Sequence, residues 1–188
     1  MSGCCDTTVF VYGTLKQGEP NESVLTDLAT GRYELLGKAT TLPAYPLIVA
    51  SKYNIPFCLK KPGKGHRITG EVYNVDATKL KALDELEAHP TFYCREIIQV
   101  EMESGKIREA WIYLLPTWKP KILQESSEML TEYSSKGAHG REYVTRAARA
   151  KDIIEEQYNL IDDIHFGSEA TTDRLQHTLA KAKRDLDS

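Results

Sequence analysis

Residues 68–90 read ITGEVYNVDATKLKALDELEAHP, and the change of period inside this stretch decides the fold. Ile68 to Val75 alternates apolar and polar side chains, as a half-buried strand does. Asp76 then offers a side-chain cap, and from Ala77 to Ala88 the apolar positions return at helical spacing until Pro90 stops them. A strand thus runs straight into a short amphipathic helix, with no room for a long crossover.

Working outward, the neighbours on both sides are strands. Thr7 to Tyr12 (TTVFVY) is a β-branched and aromatic run that suits a buried strand. Tyr33 to Leu42 and Tyr45 to Ala50 read as two strands separated by the prolines at 43 and 46, and Ile55 to Leu59 as another. Pro62-Gly63-Lys64-Gly65 marks a turn. Tyr93 to Glu103 and Lys106 to Leu115 form a hairpin around Ser104-Gly105. Between strand one and Tyr33, Asn21 is placed to cap a short helix with Val24, Leu25 and Leu28 on one face, closed by Gly31. Strands joined by short turns favour antiparallel or mixed pairing over a doubly wound parallel sheet. The fold class is α+β, a small curled sheet or barrel with helices against it. Beyond Pro116 the pattern loosens: residues 117–142 are loop-rich with two helical turns, 143 to about 160 reads as helix, and Leu175, Leu179, Ala182 and Leu186 recur at helical spacing.

Composition narrows the function classes. The chain has 188 residues, enough for one domain with a real core. A net charge of -3 with scattered basic residues argues against a nucleic-acid track. No apolar run approaches the ~18 residues of a membrane span. The N-terminal Met1-Ser-Gly-Cys-Cys-Asp has neither a signal-peptide nor a myristoylation pattern, so a cytoplasmic protein is expected. Its four cysteines, at 4, 5, 58 and 94, lack the paired spacing of a zinc site and read as reduced thiols; no metal and no cofactor are expected.

Chemistry enters at the helix of residues 77–88. At about 100° per residue, Leu80, Leu83 and Leu86 define its apolar stripe, and Glu87 lies within about 40° of the stripe's centre. Asp84 falls about 100° away and Glu85 about 160° away on the same wheel. Only Glu87 of the three acids in LDELE therefore points inward, where lost hydration raises a carboxylate's pKa and suits it to accept and return a proton. A salt-bridged glutamate at a frayed helix end is the plainer reading of the same position. The second feature is the turn Tyr12-Gly13-Thr14-Leu15 after strand one, whose unpaired backbone N–H groups suit an anion or a polarised carbonyl. It is no phosphate loop, because Gly13 and Gly18 have the spacing but Glu19-Pro20 follows. Cys58 and Cys94 read as buried apolar fillers, with a Cys–His nucleophilic pair as the competing reading.

In order along the chain, VFVYGTLKQGEPN, LPAYPLIVA, NIPFCLKKPGKG, GEVYNVD, LDELEAHPTFYCR and GAHGREY resemble the γ-glutamylcyclotransferase superfamily. Tyr-Gly-Thr-Leu-Lys, together with the compact Tyr-Pro and Asn-Ile-Pro segments, is most similar to the γ-glutamylamine branch. The resemblance implies a small mixed β-barrel with flanking helices over residues 7–145, with residues 146–188 left as a helical extension of unknown role. It implies an enzyme that closes a γ-glutamyl group into 5-oxoproline and releases an amine, with Glu87 as acid and base. The substrate would be held by Tyr12, Gly13, Thr14 and Leu15, with Tyr45, Tyr93 and His139 near the cavity. The only partner so implied is the small γ-glutamyl substrate; size suggests a monomer, and the tail is the place for a protein partner. Two alternatives stand beside it: an amino acid as leaving group, or a non-catalytic binding domain on the same fold.

Overall fold

The computed structural model describes residues 6–145 and Ala148. Five strands close into a barrel in the order β1–β5–β2–β6–β7. They are β1 (Thr7–Val11), β2 (Tyr33–Tyr45), β5 (His66–Val75), β6 (Cys94–Met102) and β7 (Ile107–Leu114). All neighbours are antiparallel except β1 and β7, which meet in parallel at Val9 and Trp111 and close the barrel. Strands β3 (Leu47–Ala50) and β4 (Ile55–Cys58) form a separate hairpin, joined to the barrel by a parallel bridge from Leu59 to Leu115. Helices α1 (Glu22–Thr26), α2 (Ala77–Leu86) and α3 (Pro120–Gln124) flank it. The small mixed barrel with flanking helices is therefore the fold.

Alternation along the strands sorts the apolar side chains into two layers. Phe10, Ile68, Val72, Ile98, Val100, Ile112 and Leu114 pack with one another as one cluster. Their strand neighbours Val9, Val11, Tyr73, Val75 and Tyr113 pack in the other with Leu83 of α2 and with Ile48 and Phe57 of the hairpin. Helix α2 thus shares its layer with one face of the hairpin, whose other face, Leu47, Val49 and Cys58, packs in the first layer. Gly70 lets β1 and β5 approach: a Cβ would run into the Val11 carbonyl oxygen and the Phe10 ring.

Three local expectations are corrected. The strand expected to end at Leu42 runs on through Pro43 to Tyr45. Register shifts absorb the proline, and the Thr41 hydroxyl stands in for the lost ladder, accepting from Ile68 N–H at 2.9 Å and donating to the Pro43 carbonyl at 2.7 Å. Leu28 does not join the buried face with Leu25 but is 72% exposed. The chain leaves α1 at Asp27 and turns through a 3-10 segment, Leu28–Thr30, before Gly31. Helix α2 stops at Leu86 rather than Ala88, with Glu87 as C-cap and Ala88 at φ 48° reversing the chain. Of the two helical turns expected in 117–142, α3 is present. Residues 143–145 carry no helix, and the rest of the segment expected to be helical from 143 to 160, like the tail, lies outside the described residues.

Candidate active site

Asp76 starts α2 as expected, its Oδ1 accepting from Lys79 N–H at 2.8 Å. Its other oxygen accepts from Arg32 N–H at 3.0 Å, so one carboxylate fixes both the helix start and the entry to β2. Within α2, Leu83 is fully buried and Leu80 and Leu86 pack on the outer core layer, while Glu85 is exposed beside Lys81. The phase read from the sequence therefore holds for the leucines, Glu85 and Glu87. Glu87 is half-buried at the helix end with its peptide held on both sides: its N–H donates to Leu83 O at 3.0 Å, and its carbonyl accepts from Tyr93 N–H at 3.3 Å.

Tyr12 faces it from the end of β1. The Tyr12 hydroxyl donates to the Tyr113 carbonyl at 2.8 Å. Burial holds its pKa well above the ordinary tyrosine value, and Tyr93, Cys58 and the Glu87 carboxylate push the same way. Tyr12 is accordingly a neutral donor at physiological pH. Tyr93 lines this site from above, its ring 4.9 Å from Phe92 and 6.3 Å from Phe57. Tyr45 packs in the same cluster as Tyr12 and Cys58, and burial pushes its pKa up to about 12.

The turn itself is shaped so that its carbonyls are used and its first N–H groups are not. Lys16 N–H donates to Gly13 O at 3.2 Å, and Asn21 N–H to Thr14 O at 2.9 Å. Asn21 sends its side-chain amide to Thr14 Oγ1 at 2.9 Å instead of capping α1. No acceptor among the described residues takes a hydrogen bond from the N–H groups of Gly13, Thr14 or Leu15. These donors come from a turn, and two further turns through Gly18 and Pro20 separate them from α1. Gly13 is wedged against the hairpin, where a Cβ would stand 3.1 Å from Pro56 Cγ.

His139 takes another position. Its Nδ1 accepts from Arg141 N–H at 3.0 Å, which leaves the hydrogen on Nε2 to be donated to Ser134 O at 2.7 Å. Its ring stacks on Tyr133 with centroids 6.0 Å apart, and the Tyr133 carbonyl accepts from Lys16 Nζ at 2.6 Å.

Sequence reasoning missed a polar group beside Glu87. Asp84 is not turned out to solvent: its Oδ1 accepts from Tyr113 Oη at 2.7 Å, and its oxygens face Arg95 at 3.0 and 3.2 Å. Arg95 in turn lies over Trp111, 4.5 Å from the ring centroid. Burial and the Asp84 hydrogen bond keep the Tyr113 hydroxyl protonated. The partners come from β6 and β7, which no pattern within LDELE reveals. Among the described residues no group of three or more His, Cys, Asp or Glu is placed to hold a metal, no helix is long and apolar enough to cross a membrane, and Cys58 and Cys94 are free thiols.

Known proteins are similar to this chain. The γ-glutamylaminecyclotransferase of Bos taurus is 45% identical over 143 residues, spanning 75% of this chain and 83% of the bovine one. γ-Glutamylaminecyclotransferase C of Danio rerio is 40% identical over 149 residues, spanning 77% of this chain and 97% of its own length. The crystal structure of an AIG2-like protein from Mus musculus superposes with a TM-score of 0.72 at 38% identity, covering 77% of this chain and 99% of that one. The family model described as γ-glutamyl cyclotransferase, AIG2-like, matches residues 9–135. The chain belongs to the γ-glutamyl cyclotransferase, AIG2-like family of enzymes.

Proposed function

We propose that this enzyme is a γ-glutamylamine cyclotransferase, converting a γ-glutamyl amine such as γ-glutamyl-ε-lysine into 5-oxoproline and the free amine, with Glu87 as the proton carrier. The observation that carries the reading is the half-buried Glu87 beside the turn whose Gly13, Thr14 and Leu15 N–H groups have no acceptor among the described residues. Its support from relatives is the γ-glutamylamine activity named for the bovine and zebrafish proteins.

The reaction needs no external nucleophile. The substrate's α-amino nitrogen attacks its own γ-carbonyl carbon, forming the ring C–N bond, and the bond from that carbon to the departing amine breaks. Tethering supplies effective molarities of roughly 10⁵ M or more once the chain is folded back on itself. Glu87 takes a proton from the α-ammonium so that its lone pair is free and returns it to the departing nitrogen. The second proton that the attacking nitrogen sheds on ring closure ends on the released amine, which leaves as its ammonium with Glu87 as it began. The turn's N–H groups hold the substrate's polarised or charged oxygens, and the site stays dry behind Tyr12, Tyr93 and Phe57.

The catalytic unit runs through residue 145, beyond the end of the family match. Val144 N–H donates to Tyr53 O at 3.0 Å, Asn54 Nδ2 to Glu142 O at 2.8 Å, and Asn21 Nδ2 to Tyr143 Oη at 3.2 Å. We take it to work as a cytoplasmic monomer.

The direct test is 5-oxoproline release from γ-glutamyl-ε-lysine and from γ-glutamyl-alanine, with Glu87→Gln and Glu85→Gln beside the wild type. The lysine compound should turn over, Glu87→Gln should fall by at least about a hundredfold, and Glu85→Gln should match the wild type. Release from the alanine compound instead would move the enzyme to amino-acid leaving groups. Normal turnover by Glu87→Gln would remove Glu87 from the mechanism.

A further inference from the structure

Glu71 is a buried carboxylate that the chemistry above does not use. It lies on β5 with 7% of its surface exposed. Its backbone is the register partner of Val11, the last residue of β1. Its side-chain Oε2 accepts from Gln17 N–H at 3.0 Å and from Tyr73 Oη at 2.9 Å. Residues 12–16, the turn with the unused N–H groups, lie between these two attachments. One residue therefore holds both ends of the turn: the entry by strand pairing, the exit by its carboxylate.

The surroundings favour this arrangement over an incidental contact. Gly70, just before Glu71, is the residue that admits the Val11 carbonyl to close approach. Tyr73 is kept protonated by burial and by its hydrogen bond to Glu71, so it remains a donor and holds the carboxylate in one orientation. Burying a carboxylate costs free energy unless donors offset the lost hydration. Here one of the two donors to Oε2 is the main chain of the turn.

We propose that Glu71 is a positioning residue for substrate binding: its carboxylate fixes Gln17 so that the Gly13, Thr14 and Leu15 N–H groups are set for the oxygens of the γ-glutamyl group. The inference rests on the reading of that turn as the substrate-holding element. Glu71 touches no substrate itself, and its effect passes through the main chain of residues 13–17.

The test combines kinetics with amide exchange. Glu71→Leu should lower kcat/KM for γ-glutamyl-ε-lysine roughly tenfold or more, the change expected when a charged hydrogen bond to the main chain is lost, with the loss carried by KM. Glu71→Gln, which keeps an acceptor oxygen, should stay within about fivefold of the wild type. A purely structural residue would reduce the fraction of active enzyme, and so the apparent kcat, with KM unchanged; that pattern, or Glu71→Gln as poor as Glu71→Leu, overturns the proposal. In the wild-type protein, hydrogen exchange followed by NMR should find the Gln17 amide protected while those of residues 13–15 exchange fast. An unprotected Gln17 amide overturns the proposal whether or not any variant folds. If the wild type releases no 5-oxoproline from any γ-glutamyl amine, the functional reading falls. Glu71 is then still judged by Gln17 protection and by faster exchange at residues 13–17 in Glu71→Leu.

Discussion

The Tyr12 hydroxyl donates to the Tyr113 carbonyl at 2.8 Å, joining residues 101 positions apart in the chain. The bond ties the end of β1 to the end of β7, the one parallel seam of the barrel. Tyr113 has a second attachment through its own hydroxyl, which donates to Asp84 on the same helix as Glu87. Turn, barrel seam and α2 are thus connected through two tyrosines. Tyr12→Phe removes one link without changing volume and strands a buried carbonyl. It should cost about 1–3 kcal/mol of stability, read as a shift of the urea midpoint at unchanged slope, with kcat/KM falling further than the lost stability explains. A midpoint equal to the wild type's would mean that water replaces the bond.

Gly13 tests whether the position of the turn matters apart from its chemistry. A methyl group there meets Pro56 Cγ at 3.1 Å, tight enough that turn or hairpin must give way by a few tenths of an ångström. Gly13→Ala should therefore raise KM several-fold, and Pro56→Ala, which vacates the ring, should restore most of the loss in the double variant. Equal defects in the single and double variants would show that the methyl group acts elsewhere.

How much of this was legible in the sequence follows from the range of each contact. Helical phase is local, and it separated Glu87 from Glu85 because four residues of one helix suffice to set it. The same wheel misjudged Asp84, since its burial is decided by Arg95 on β6 and Tyr113 on β7. The turn after β1 was legible as a source of free N–H groups. What holds it was not, because Glu71, Tyr133 and Tyr143 come from 54, 117 and 122 positions away. Lys79 is the sharpest case: its charge suggests solvent although it lies within about 40° of the centre of the α2 stripe, and it is fully buried with Nζ donating to Asp27 O and Thr30 Oγ1, each at 2.6 Å. The backbone that accepts from it takes shape only after α1 has turned.

Asp76 gives the pH dependence. N–H donation from Lys79 and then Arg32 holds its carboxyl below the ordinary aspartate pKa. A carboxylate whose pKa is depressed by folding stabilises the fold above its unfolded value, near 3.9, and loses that contribution as pH falls through the lower folded value. Asp76→Asn keeps an acceptor for the helix cap but cannot titrate. The wild type should therefore melt above Asp76→Asn at pH 7, by a margin that stays flat down to about pH 5 and shrinks below about pH 4. A margin independent of pH down to about 2 would exclude the charge as its source.

The family match stops at residue 135, but the described structure does not treat residues 136–145 as an appendage. Tyr143 is buried, and its hydroxyl takes the second hydrogen of the Asn21 amide that also reaches Thr14. Glu142 and Val144 bracket the β3–β4 turn through Asn54 and Tyr53. A chain ended after residue 135 loses all three attachments, leaving Asn21 and the hairpin tip unsupported on either side of Gly13. It should retain little 5-oxoproline release and melt several degrees lower. A chain ended after residue 145 keeps them and should turn over γ-glutamyl-ε-lysine at the full-length rate. Full activity in the shorter chain would show that the strap is dispensable. Loss in the longer one would place part of the catalytic unit in residues 146–188.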